Sequence, residues 1–209
     1  MFELYAITDR DMLRQRGKNE VEAGREAYAG GADVVQLRLK NTDGGEMLSV
    51  AKQMQKAADE YSKIFIVNDR VDVAVLAGAD GVHLGQSDIP VKEARKLTGP
   101  DMIIGVSVDT PEEARQAVAD GADYVAVGAI FPTATKKNAK QGVGLDSVFL
   151  IKQAVKVPVV AIGGINRGNM TEVFRAGADS VAVVSAIMAQ PDIRKATHDM
   201  KDIILKLGL

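Results

Sequence analysis

Gly-Ala-Asp followed by a short apolar run occurs four times in the chain: GGADVVQLR (30–38), AGADGVHLG (77–85), DGADYVAVG (120–128) and AGADSVAVV (176–184). A helix-like stretch precedes each, as TPEEARQAVA precedes the third. Repetition of this kind marks a fold assembled from one supersecondary unit. Glycine at a helix end permits a left-handed residue there. Runs of Val and Leu of this length read as buried strands. The repeats recur about every 50 residues, whereas one βα unit needs roughly 25, so each interval holds a second unit. ELYAIT (3–8), IFIVND (64–69), MIIGVSV (102–108) and VPVVAIGGI (157–165) supply the intervening strands. Eight strands alternating with helices predict an α/β fold, a single (β/α)8 TIM barrel forming one domain over residues 1–209. The last helix is expected in DIRKATHDMKDIILKLG, with Ile193, Met200, Ile203, Ile204 and Leu207 at helical spacing. An open doubly wound sheet would usually carry a Gly-rich turn after its first strand. AITDRDML stands there instead.

Composition narrows the function classes. The 209 residues are 46% hydrophobic, with 20 glycines and no Trp, which favours small-residue packing over aromatic binding platforms. A net charge of -2 and a pI near 5.8 give no global basic field for nucleic acid. Without cysteine there is no disulfide, thiolate metal site or Cys nucleophile. The start, MFELYAITDR, does not read as a signal peptide. No apolar run approaches the ~18 residues of a membrane span. A soluble, intracellular protein is expected, with neither nucleic acid nor membrane as partner. Oligomeric state has no signature in the sequence.

In such barrels the active site lies at the C-terminal ends of the strands, which selects candidates without any motif. Two groups emerge. IGGI after the seventh strand and VSAI after the eighth suit a phosphate held by backbone N–H groups and the Ser185 hydroxyl. Thr133 and Thr135 on the neighbouring strand add hydroxyl donors. Tight turns alone would account for the glycines, but two adjacent loops at the positions where barrels bind phosphate favour the cradle. The second group is Asp69 and Asp88 with Arg38, Lys40 and Lys136. Two carboxylates beside cations suit Mg²⁺ and a diphosphate, since Mg²⁺ takes one or two protein carboxylates and leaves the rest of its shell to water and phosphate. Asp88 has a competing reading as a helix cap, because SDIPVKEA begins a helix. Asp109 and Thr110 precede PEEA and read as capping residues, with Pro111 near the first helical position. His83, on an apolar strand, reads as a packed or orienting residue rather than a base, and His198 as a surface residue. No nucleophile–base pair is apparent, which argues against covalent catalysis.

The motifs QLRLK, VNDR, HLGQSD, GVS, PTATKK, AIGGI and VVSAI follow one another along essentially the whole chain. In this the sequence closely resembles the thiamine phosphate synthase family. PTATKK is the most specific of the motifs. The resemblance implies condensation of hydroxymethylpyrimidine diphosphate with thiazole phosphate, giving thiamine phosphate and pyrophosphate, with Mg²⁺ required. It assigns Gln36, Arg38, Lys40, Asn68, Ser107 and Lys136 to the pyrimidine diphosphate, with Lys136, Arg38 and Ser107 as the catalytic set. Asp69 and Asp88 fall to Mg²⁺, and Thr133, Thr135, Gly164, Val184 and Ser185 to the thiazole phosphate. Two departures from the family pattern are Leu39, where an acidic residue is common, and Ala129, where Pro is common. Leu39 should face away from Arg38 and Lys40 on an extended chain. The related thiazole tautomerases lack an intact PTxTK and tend to carry His two residues after the Ser107 position. Here that residue is Asp109 and the PTxTK loop is intact, and both differences favour the synthase over the tautomerase. A non-catalytic sensor of thiamine precursors, which would keep the phosphate cradle but show no turnover, is a second alternative that a pyrophosphate-release assay separates.

Overall fold

The computed structural model describes residues 2–133 and 142–208. Eight parallel strands close into one barrel in sequence order: β1 (Leu4–Ile7), β2 (Val34–Leu37), β3 (Ile64–Asn68), β4 (Gly81–Leu84), β5 (Ile103–Val108), β6 (Tyr124–Val127), β7 (Val159–Ile162) and β8 (Ser180–Val183). Pairing of β8 with β1 completes the ring, with Leu4 opposite Val181. The helices among the described residues are α1 (Arg10–Arg14), α2 (Glu20–Ala29), α3 (Gly44–Tyr61), α4 (Val71–Ala77), α5 (Val91–Thr98), α6 (Pro111–Ala119), α7 (Leu145–Ala154), α8 (Met170–Arg175), α9 (Ser185–Met188) and α10 (Ile193–Leu207). The fold is the expected (β/α)8 barrel. No helix among these residues is long and apolar enough to cross a membrane.

Strand alternation divides the core into two layers. Leu4 and Ala6 face the helices, whereas Tyr5 and Ile7 fill the barrel together with Val34, Ile66, Tyr124 and Val160. Leu39, two residues beyond β2, remains in the outer layer, away from Arg38 and Lys40, as expected. In α10, Ile193, Met200 and Ile204 are buried, while Ile203 and Leu207 pack at the margin. Asp192 caps this helix by accepting the Lys195 N–H, and Gly208 ends it in the left-handed region at φ 66°.

The four repeats have a purpose beyond their glycines. Gly31, Gly78, Gly121 and Gly177 all have positive φ, as a chain leaving a helix for a strand requires. The Asp two residues later reaches back to the start of the preceding strand. Asp33 accepts the N–H groups of Glu3 and Leu4, Asp80 that of Phe65, Asp123 that of Ile104, and Asp179 that of Val159. One carboxylate per pair of strands thus satisfies backbone donors at the bottom of the barrel that would otherwise be orphaned.

Asp33 ties the ends of the chain together. Burial would raise its pKa, but Lys201, the Glu3 N–H, Lys63 and the Leu4 N–H outweigh that and bring it down to about 2. A folded pKa below the ordinary 3.8 contributes stability that is fully present above that value and is lost as pH falls towards 2. Asp33→Asn is therefore expected to be less stable than the parent chain at neutral pH and to approach it below pH 3. Urea midpoints measured across this range check it; a gap of constant size at every pH would contradict the ion-pair origin.

Candidate active site

A cavity of about 510 Å³ opens at the C-terminal mouth of the barrel. Gln36, Arg38, Lys40, Asn68, Asp69 and Asp88 line one part of its wall, contributed by β2, β3, β4 and the loops that follow them. Ser107 lines it from β5. Thr133, Gly164, Val184 and Ser185 line the part contributed by the segments after β6, β7 and β8. Every sequence-selected site residue within the described chain borders this one space. Thr135 and Lys136 lie outside the described residues, as do Lys137 and Lys140.

The carboxylate corner is built by two tight turns. Asp69 has φ 64°, and the Arg70 N–H bonds the Asn68 carbonyl at 2.8 Å, so the chain makes a γ-turn about Asp69. Such a turn is strained in a non-glycine residue, and Asp and Asn bear it best. The Asp69 N–H donates to the His83 carbonyl at 2.8 Å, which anchors the turn to β4. The Asp69 carboxylate is paired with Lys40. Asp88 does not cap α5: Pro90 holds that position without a side-chain hydrogen bond. Its carboxylate instead accepts the Gly85 N–H at 2.7 Å. Burial pushes the Asp88 carboxyl above its ordinary pKa; the Gly85 N–H opposes this, and the adjacent Asp69 adds to it. Among the described residues no group of three or more His, Cys, Asp or Glu could hold a metal. Two mutually repelling carboxylates on a solvent cleft fit Mg²⁺, which needs no larger protein cage.

Arg38 is held from below: its N–H donates to the buried Thr8 hydroxyl at 3.0 Å, and its guanidinium lies 3.5 Å from Asp9. On the opposite side, the segment after β6 runs along the end of β7. Ile130 and Phe131 donate to the carbonyls of Ile162 and Gly163. Gly164, at φ 67°, meets this segment so closely that a Cβ there would lie 2.7 Å from Phe131 Cβ and 2.8 Å from the Pro132 carbonyl oxygen. The glycines thus make a tight turn and also bring Thr133 beside the β7 and β8 loops. Thr110 caps α6 through the Glu113 N–H, with Pro111 in the first turn. Asp109, also read as a capping residue, lines the cavity and takes the Glu113 carboxylate on its own N–H. His198 is on the surface.

The floor of the cavity holds what the sequence reading did not find. Tyr5 and Tyr124, almost fully buried, are joined hydroxyl to hydroxyl at 3.0 Å. Gln36 Nε2 donates to Tyr5 at 2.6 Å. His83 bonds Tyr124 through Nδ1 and Ser107 through Nε2, both at 2.9 Å. His83 is thus an orienting residue, as expected, with its partners now visible. No motif announces the two tyrosines. Their one signal is a phenol at an inward position among aliphatic residues, where a buried hydroxyl requires a partner.

Comparison with known proteins identifies the chain's relatives. The family profile described as thiamine monophosphate synthase matches residues 4–187. The thiamine-phosphate synthase of Pyrococcus furiosus is 46% identical over 202 residues, covering 97% of this chain and 94% of that protein. That of Methanocella arvoryzae is 47% identical over 208 residues, covering 100% and 97%. The solved thiamine phosphate pyrophosphorylase of Pyrococcus furiosus superposes with a TM-score of 0.89 at 44% identity, covering 99% of this chain and 96% of that one. A 3-hexulose-6-phosphate synthase structure, at 22% identity and TM-score 0.71, shares the fold. On the matched length and the identity of these relatives, the chain belongs to the thiamine monophosphate synthase family.

Proposed function

We propose that this chain joins hydroxymethylpyrimidine diphosphate to thiazole phosphate, releasing thiamine phosphate and pyrophosphate, with Mg²⁺ as cofactor. The observation that carries the reading is a single cavity with two unlike sides, one of carboxylates and cations, the other of glycines and hydroxyls. Two phosphorylated substrates that must meet need two separate anion sites facing one space. Gln36 and Asn68 orient the pyrimidine, and Arg38 and Lys40 neutralise its diphosphate. Asp69 and Asp88 would hold Mg²⁺, which when bound supplies positive charge to the leaving pyrophosphate. Thr133, Gly164, Val184 and Ser185 take the thiazole phosphate. The family resemblance adds Thr135 to that phosphate and Lys136 to the diphosphate.

The reaction is a dissociative alkyl transfer. The aminopyrimidine delocalises positive charge at its exocyclic CH₂ as the C–O bond to diphosphate breaks, and the thiazole nitrogen captures that carbon. No strong base is needed, in keeping with a His83 ring already engaged by Tyr124 and Ser107. The fixed cations stabilise charge as it develops on the leaving group. The apolar walls, among them Ile7, Val160 and Ile162, limit the water that would quench the cation. The reading includes a cytoplasmic location, because both substrates are charged small molecules that do not cross membranes unaided.

A pyrophosphate-release assay tests this. Release is expected only when both substrates and Mg²⁺ are present, and EDTA should abolish it. Equal release without the thiazole, or conversion of the thiazole alone without pyrophosphate, would overturn the reading, the second result in favour of a tautomerase.

A further inference from the structure

The hydrogen bonds beneath the cavity have a direction. Gln36 Nε2 donates to the Tyr5 hydroxyl, so the Tyr5 hydrogen is available to Tyr124 at 3.0 Å. With its oxygen accepting from Tyr5, Tyr124 has its own hydrogen for His83 Nδ1 at 2.9 Å. A neutral imidazole that accepts at Nδ1 must carry its hydrogen on Nε2. Nε2 lies 2.9 Å from Ser107 Oγ. Ser107 therefore accepts from His83 and keeps its own hydrogen for another acceptor, and it stands at the cavity wall. Burial raises both phenols above their ordinary pKa, so each retains the hydrogen this chain requires.

We propose that Tyr5, Tyr124 and His83 are positioning residues: they polarise the chain from Gln36 to Ser107, hold His83 as the Nε2–H tautomer, and leave the Ser107 hydroxyl a donor to an acceptor atom of the pyrimidine diphosphate. This rests on the assignment of Ser107 to that substrate. The reverse polarity, with the Gln36 carbonyl towards Tyr5, would put the imidazole hydrogen on Nδ1 and make Ser107 an acceptor. The two arrangements present opposite hydrogen-bond character to the same ligand atom. The chain thus bears on which ligand is accepted as well as on packing.

The chain contains two histidines, so His198→Gln, a surface change, leaves His83 as the only imidazole. In ¹⁵N-labelled His198→Gln protein without substrate, the ring is expected as the neutral Nε2–H tautomer. Tyr124→Phe should lose that preference. An Nδ1–H tautomer or an imidazolium at neutral pH in the His198→Gln protein overturns the polarity. Turnover tests the consequence. Tyr124→Phe is expected to lower kcat roughly 10-fold, the scale of one hydrogen bond, with KM for the thiazole phosphate unchanged. In a Ser107→Ala background the same substitution should have no further effect. An equal loss in both backgrounds means that Tyr124 does not act through Ser107, and overturns the positioning role. The tautomer is read without any reaction, so its outcome is independent of whether the parent chain releases pyrophosphate.

Discussion

Replacing Asp69 or Asp88 by Asn is expected to lower pyrophosphate release about 10²–10³-fold, the scale for removing one fixed electrostatic contact to a developing charge, while the barrel stays folded. Asn is chosen because each carboxylate has a structural task that an amide can keep. At position 88 the side-chain oxygen accepts the Gly85 N–H, which an Asn oxygen can still do. At position 69 the backbone is a γ-turn with φ 64°, and Asn bears positive φ nearly as well as any non-glycine residue. Alanine there would add backbone strain of order 1–3 kcal/mol and confuse stability with activity. The Lys40–Asp69 pair is half-exposed on its lysine side, and such pairs contribute only about 0–1 kcal/mol. Its loss should cost little, and in the parent chain Lys40 can exchange Asp69 for a diphosphate at small cost. Mn²⁺ titration followed by electron paramagnetic resonance gives a readout apart from turnover: binding should weaken in each variant and most in the double variant. Parent-like Mn²⁺ affinity in Asp69→Asn,Asp88→Asn would show that these carboxylates do not hold the cation.

How far the sequence reaches depends on the range of the interaction. The strands are legible because each is a local apolar run bounded by its own turn signals. The cavity residues are legible because the barrel rule converts a position at the end of a strand into a place in space. Asp88 had two readings, cap or ligand, and local pattern could not separate them. What separates them is Pro90, which starts α5 without help from Asp88 and frees that carboxylate to turn towards Gly85. The Asp of each Gly-Ala-Asp repeat was visible as a pattern but not as a cause, because its acceptor role depends on the register between strands that neighbour in space. The Tyr5–Tyr124 contact is the extreme case. It joins residues 119 apart in sequence, and neither residue carries a motif.

Gly105→Ala is expected to place a disruptive methyl in the barrel interior. Gly105 pairs with His83 on one side and Tyr124 on the other, so the three occupy one layer. A Cβ at Gly105 would overlap the ring carbons and hydroxyl of Tyr124 outright. The missing side chain is what lets that ring lie across β5 and stack on His83, with ring centroids 5.6 Å apart. Tyr124 is almost fully buried and contacts Phe2 and Tyr5 edge-on, so its ring can yield only by giving up these contacts and intruding into the cavity above it. Overpacking of this kind costs about 1–3 kcal/mol and occasionally more. Moving the phenol also endangers two buried hydrogen bonds at about 1 kcal/mol each. Against these, removing a glycine from the unfolded chain returns roughly 0.5–1 kcal/mol. The net loss is about 3 kcal/mol, a fall in Tm of roughly 6–12 °C for a chain of this size. Tyr124→Val on its own should also destabilise, by opening a cavity. Combined with Gly105→Ala it should lose less than the two changes summed, because the methyl then enters the vacated space. A Gly105→Ala Tm within about 2 °C of the parent, or strict additivity in the double variant, would mean that the ring is free to move. A ring that moves freely cannot hold His83 in one tautomer. The stability of this one variant therefore also bears on whether the barrel floor can set the hydrogen-bond polarity at Ser107.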